Sequence, residues 1–399
     1  MIAPDDLYRS PNALVPFYTN FRVGERLLLT GHSHQAWPDC GFRGQQQAWL
    51  DAAECLDRKW ERAFARAELV RKGFARLLDD TDGEIALGSS VHELVVRFLS
   101  ALPFRNRHRI VTTDGEFHSL RRQLDRLEEE GIEVFRVKSS PASQVAERLI
   151  EAVDNRTAAV MVSSVFFQTG EIVYGLSEVL DRCRSVGAEL LVDAYHSLNV
   201  VPFSVMSDRL QDAFVVGGGY KYCQLGEGNC FLRFPSDCRM RPLVTGWFSE
   251  FDSLQDCSTG PVSYGAGPGR FAGSTYDPTS HYRAAEVFSF FEEKGLSPEL
   301  LREVSLHQIR LLADHFDGLD LAPQIISRNR SIAIEAIGGF LCLHAARAGE
   351  ICRLLRDRGV QADYRGNFLR LGPAPYLSDR QLTGAMAILG EICRGNKVI

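Results

Sequence analysis

Between residues 82 and 235, short apolar runs alternate with longer stretches in which apolar residues recur every three or four positions. That alternation is the mark of an α/β sheet whose strands are each followed by a covering helix. Runs at 84–87, 109–112, 133–137, 158–165, 189–192, 213–216 and 229–233 predict seven strands, and 91–102, 119–130, 141–153 and 176–186 predict helices between them. Strands apolar along their whole length suit a mainly parallel sheet buried on both faces. No helical pattern separates the last two strands, so the final one is expected to run antiparallel.

Gly- and Pro-rich sequence at 258–278 breaks the alternation, and a helical stretch at 281–294 follows it. The remainder reads as strands at 332–336, 340–344 and 368–371 with helices at 348–358 and 379–392, a smaller α+β unit. The first eighty residues are loop-rich and then helical. The expected division is a segment 1–80 packing with the small domain, a large domain 81–278 and a C-terminal domain 279–399.

Composition narrows the function. Of 399 residues, 45% are hydrophobic and 24% charged, with a formal net charge of -6, so no basic field invites nucleic acid or an anionic membrane. The apolar runs fall short of the roughly 20 residues that a span needs. An acidic N-terminus, Asp5-Asp6, stands where an export signal would be basic, so a cytoplasmic protein with a small-molecule substrate is expected. Ten cysteines show no C-x-x-C pair, which argues against a zinc ribbon or a disulfide framework.

Two strand ends carry the chemistry. Glu189-Leu-Leu-Val-Asp193-Ala-Tyr-His196 puts an acid and an imidazole just past a buried strand, where ligands of open α/β sheets bind. An aspartate there can pair with a protonated pyridine nitrogen, or it can simply cap the next helix. One strand later, Gly217-Gly-Gly-Tyr220-Lys221 sets a lysine in a flexible turn. Glycines allow close backbone approach to a ligand, and a lysine that loses its proton attacks an aldehyde. A surface lysine in a turn is the bland reading of that segment alone, and the two segments together favour a pyridoxal 5′-phosphate (PLP) site.

With these residues in view, Val192-Asp-Ala-Tyr-His196 and Gly219-Tyr-Lys221-Tyr resemble the class V aminotransferase superfamily of fold-type I PLP enzymes, and within it the kynureninases. The likeness begins near Gly31 and covers most of the chain. It implies that Asp193 holds the pyridine nitrogen, His196 lies near the ring, Lys221 bonds the cofactor, and Tyr220 touches the phosphate and moves protons. Gly88-Ser89-Ser90-Val91 resembles the phosphate cradle. Phe117, with His118 in reserve, resembles the ring that stacks on the cofactor. Val165-Phe-Phe-Gln-Thr169-Gly resembles a segment beside the ring, with Phe167 and Gln168 where kynureninases carry two tyrosines. Gly246-Trp247-Phe248 resembles a phosphate contact, and Ser274 with Thr275 resembles a stretch that reaches the phosphate of a neighbouring subunit. Thr275 stands where kynureninases carry an Asn that reads the substrate ring.

Near the C-terminus, Arg370 lies in a short strand before Pro373 and Pro375, and a guanidinium fork suits an α-carboxylate. The resemblance gives it that role. Gly31-His32-Ser33-His34 resembles the kynureninase entry loop, with His32 replacing an Asn, and places these three at the substrate pocket or in a surface turn. No acidic or Cys ligand accompanies the two histidines, so no metal is expected. The resemblance implies hydrolytic β,γ carbon–carbon cleavage of a kynurenine by a homodimer with active sites at the subunit interface. Its rivals are transamination and carbon–sulfur β-elimination on another amino acid, the latter needing a loop cysteine such as Cys257, and a binding protein that has lost the chemistry.

Overall fold

The computed structural model describes residues 2–256 and 260–395, so Cys257 lies outside the described residues. The chain opens with helix α1 (Pro4–Tyr8) and a two-residue strand β1 (Leu27–Leu28), then two long helices, α2 (Asp39–Cys55) and α3 (Lys59–Leu77). The large sheet comprises β2 (Glu84–Gly88), β3 (Arg109–Thr113), β4 (Glu133–Val137), β5 (Thr157–Ser163), β6 (Glu189–Asp193), β7 (Phe214–Gly218) and β8 (Cys230–Phe234). Their spatial order is β2-β8-β7-β6-β5-β3-β4, with β8 antiparallel to both neighbours and the others parallel. The antiparallel strand is the one that the missing helix pattern predicts.

Every residue of β5 is buried, as a strand covered on both faces requires. Helices α4 (Val91–Ser100), α5 (His118–Glu129), α6 (Val145–Ala152) and α7 (Leu176–Val186) provide the cover. Leu94, Phe98 and Leu124 seal one face with Ile110, Met161 and Phe214, whereas Leu149, Val179 and Cys183 meet Val111, Val160 and Leu190 on the other. Each such fully buried side chain contributes roughly 1.5–3 kcal/mol. The sheet thereby holds its strand ends still, and two of those ends carry Asp193 and the turn to Lys221.

After the sheet come α8 (Thr279–Lys294), α9 (Pro298–Gly318), β9 (Leu341–His344), α10 (Ala348–Asp357), β10 (Val360–Gln361), β11 (Asp363–Arg365), β12 (Phe368–Leu371) and α11 (Asp379–Arg394). Strands β11, β12 and β9 form a three-stranded antiparallel sheet, and β10 pairs in parallel with β1, tying the first residues of the chain to the last domain. Two expectations change here. Residues 332–336 form no strand but a single 3₁₀ turn at Ile334–Ala336. The helix α9 is absent from the sequence reading, because its inward face carries Ser305 and Gln308 among the apolar residues and dilutes the period. Among the described residues, no helix is long and apolar enough to cross a membrane.

Candidate active site

Asp193 ends β6 opposite Ser163 of β5 and Val216 of β7, so three buried strands fix its Cα. Its Oδ1 accepts the Tyr195 amide at 2.9 Å. Burial pushes its carboxyl up, partly offset by that amide and by Lys221. On the next strand, β7 ends in the glycine turn, where a Cβ on Gly218 would lie 2.6 Å from the Tyr195 hydroxyl. Only glycine lets the two loops meet so closely.

Lys221 comes out of that turn buried, its Nζ 2.8 Å from His196 Nε2 and 3.5 Å from Nδ1. The amine also sits 4.5 Å from the centre of the Tyr195 ring and 5.3 Å from that of Phe117. Burial, with Arg370 adding to it, takes the Lys221 amine down to about 7 against the pull of Asp193. Burial and the nearby Lys221 hold His196 well below its ordinary range, so its ring is neutral beside the lysine. A buried lysine with this environment is a nucleophile near neutral pH.

Around the amine lies a cavity of about 260 Å³, lined by Asp193, Tyr195, His196, Tyr220, Lys221, Phe117, Ser89 and Ser90 among others. Phe117 reaches it from the N-terminal end of α5, whereas His118 turns to pack on Phe167, at 5.1 Å between ring centres. Ser90 is the N-cap of α4 and accepts the Glu93 amide, while the Ser89 hydroxyl and amide both donate to the Glu93 carboxylate at 2.7 and 3.2 Å. The cradle expected there is thus already holding an anion, one of the chain's own.

Other residues marked in the sequence fall elsewhere. Ser274 and Thr275 line a neighbouring cavity of about 940 Å³, which meets the first at Ser89, Glu227 and Gly228. Trp247, half-exposed, donates from Nε1 to Thr275 Oγ1 at 3.3 Å. Thr169 sits in the 165–172 loop, its hydroxyl accepting the Glu171 amide at 3.4 Å, and is not on the wall of the lysine cavity. His34 is exposed and stacks on Tyr220 with 4.9 Å between centres, and the Ser33 hydroxyl lies 3.2 Å from His34 Nδ1. His32, by contrast, is wholly buried.

Arg370, also buried, lies side-on against Asp363, with Nε to Oδ1 at 2.8 Å and Nη2 to Oδ2 at 2.6 Å, and donates from Nη1 to the Phe167 carbonyl. Burial pushes the Asp363 carboxyl up, but hydrogen bonds from His32 and Arg370 outweigh it and hold the group far below the usual carboxylate range. The sequence reading missed Asp363, although a signal exists. Gly366-Asn367 is a two-residue hairpin loop, with Gly366 at a φ of 53°, and such a loop sets 363 opposite 370. It missed Glu116 as well, a buried acid that Thr113 and Ser163 hydroxyls each meet at 2.6 Å. Burial first, with Asp193 adding to it, raises Glu116 to about 7 against those hydrogen bonds.

No family model matches the chain. Kynureninase of Bacillus mycoides strain KBAB4 is 24% identical over 387 residues, spanning 94% of this chain and 86% of that protein. Among solved structures, a lysine-to-alanine mutant of C-DES, a cystine C–S lyase, with glycine linked covalently to its PLP cofactor superposes with a TM-score of 0.81 at 14% identity, over 94% of this chain and 98% of that one. The cysteine desulfurase of Thermococcus onnurineus NA1 gives 0.79 at 17% identity over 99% of both chains. By sequence the chain is similar to kynureninases over most of its length, and its α/β fold is that of C-DES and the cysteine desulfurases.

Proposed function

We propose that the protein is a PLP enzyme acting on an α-amino acid, and that its reaction is hydrolytic cleavage of the β,γ carbon–carbon bond of a kynurenine to alanine and an anthranilate. The observation that carries the PLP reading is the buried Lys221 amine, held near neutrality on the wall of a cavity that Asp193 and Phe117 also line. The residues fit the group: an aldehyde finds an amine, a pyridinium finds a carboxylate with a single hydrogen bond already made, and a flat ring finds Phe117. When bound, PLP supplies an electron-withdrawing ring that weakens the bonds at the substrate Cα.

The chain's own groups supply the rest. Asp193, on its rigid strand end, would hold the pyridine nitrogen of the group. Lys221 would hold the group's aldehyde, and its amine is the base that can take the proton from the substrate Cα and return one later, a role that suits an amine with a pKa near working pH. Neutral His196 keeps that amine aimed. Tyr220, its hydroxyl pushed up by burial, is protonated at neutral pH and can give a proton to a leaving carbon. Arg370 takes the α-carboxylate. Ser274 and Thr275, on the neighbouring cavity, would reach the phosphate of a second copy, making the working unit a homodimer, and Trp247 would contact the phosphate.

The kynureninase step rests on homology across most of the chain. Purified protein loaded with PLP is expected to convert kynurenine or 3-hydroxykynurenine to anthranilate or its hydroxy analogue, followed by fluorescence, and no turnover of either removes this version. The second reading, carbon–sulfur β-elimination, draws on the fold shared with C-DES and the cysteine desulfurases. It predicts sulfide or persulfide from cysteine or cystine, which the first does not.

A further inference from the structure

A guanidinium has five N–H donors. In Arg370, Nε and one donor of Nη2 go to Asp363, and one of Nη1 goes to the Phe167 carbonyl. One donor on each terminal nitrogen remains, two N–H groups with which a second carboxylate can be met. Asp363 occupies the other edge, the side formed by Nε and Nη2. Its position is in turn fixed twice, by cross-strand pairing of residues 363 and 370 in the hairpin and by His32, whose Nε2 lies 2.8 Å from Oδ1.

The His32 ring is wholly buried, packed 4.6 Å from the centre of Phe340, and its Nδ1 has no hydrogen-bond partner. Burial takes this imidazole down to about 4, so it is neutral and carries one N–H. A carboxylate cannot donate, so that N–H is on Nε2 and points at Asp363. Three segments distant in sequence therefore converge on one guanidinium: the N-terminal segment through His32, the hairpin through Asp363 and the large domain through Phe167.

We propose that Asp363 is a positioning residue that confines Arg370 to a single carboxylate-binding edge, with His32 setting the carboxylate that does so. This rests on the reading of Arg370 as the α-carboxylate anchor. The ion pair leaves little net charge to attract anions in general, so affinity comes from matching the fork's geometry. The site thereby selects amino acids over the corresponding amines and over simple inorganic anions.

The experiment uses the PLP-loaded protein and follows its visible absorbance during titration with L-alanine, the amino acid that the proposed reaction releases, and with ethylamine, the same molecule without its carboxylate. Wild type is expected to prefer L-alanine by about a hundredfold. In Asp363→Asn that preference should shrink by about tenfold or more, while affinity for ethylamine and for PLP stays as in wild type. His32→Gln should shift in the same direction by less, and it decides the matter if Asp363→Asn does not fold. An unchanged preference in these variants, or an equal loss for both probes, overturns the role of Asp363. Arg370→Lys behaving as wild type instead overturns the anchor reading on which it stands.

Discussion

Arg233 and Arg370 are both buried, and each faces an aspartate side-on. Arg233 meets Asp80 at 2.7 and 3.2 Å and turns Nη1 to the carbonyls of Gln211 and Ala213 at 2.6 and 2.9 Å. Four contacts leave a single donor over, on Nη2, and both partners of the pair are 1% exposed. Arg370 spends three donors, and its Asp363 is 18% exposed. The first arginine has one donor left and ties β8, the strand next to the sheet's edge, to the turn that follows α3. The second is oriented but unfinished. Burial and pairing alone do not separate the two ion pairs; Arg233 commits both Nη1 contacts to backbone carbonyls and keeps one donor, whereas Arg370 keeps two.

The strongest way to break that contrast is to replace both pairs with apolar residues. Arg370→Met with Asp363→Leu should abolish amino-acid turnover while the protein still melts cooperatively. Arg233→Met with Asp80→Leu should leave turnover intact and stability within about 1–4 kcal/mol of wild type, in the stabilising direction if the cavity fills well. Next in size is a half-broken pair: Asp80→Ala leaves a buried guanidinium unpaired and should cost about 3–5 kcal/mol in urea denaturation, with kcat per folded molecule unchanged.

Smaller effects come from protons. Lys221 reacts with an aldehyde only as the free amine, so the rate of PLP uptake by cofactor-free protein should rise about tenfold per pH unit below 7 and flatten above it. A continued rise toward pH 10 would mean that Lys221 is not held near neutrality. The smallest concerns His32. Its proton affinity is lower folded, about 4, than the ordinary imidazole value of about 6.5, so between those values the unfolded chain binds the extra proton. Its contribution to stability is complete above pH 6.5 and is lost as pH falls toward 4. Melting in that window should be steeper in wild type than in His32→Gln by about one proton.

Much of this was legible in the chain. The strand ends at Asp193 and Lys221 show themselves because a polar residue after a continuous apolar run has few explanations. Arg370 is visible from its short strand, but its partner is not, since Asp363 becomes its neighbour only through the register of a two-residue loop. Glu116 is hidden for a similar reason: one acid before an aromatic says nothing of the two hydroxyls that receive it. Ser305 and Gln308 mislead in the opposite sense, being polar residues on the buried face of α9. Periodicity finds elements, whereas cross-element hydrogen bonds need coordinates.

The pairing of β1 with β10, and of His32 with Asp363, also bears on how the molecule comes into being. During synthesis the first thirty-odd residues emerge long before their partners near position 360, and until then the N-terminal segment has no strand to join. The large sheet can form and present Lys221 while the amino-acid anchor is still missing. A chain released before position 370 would therefore carry the lysine without its amino-acid anchor, so the competence to select a substrate follows the making of the cofactor site.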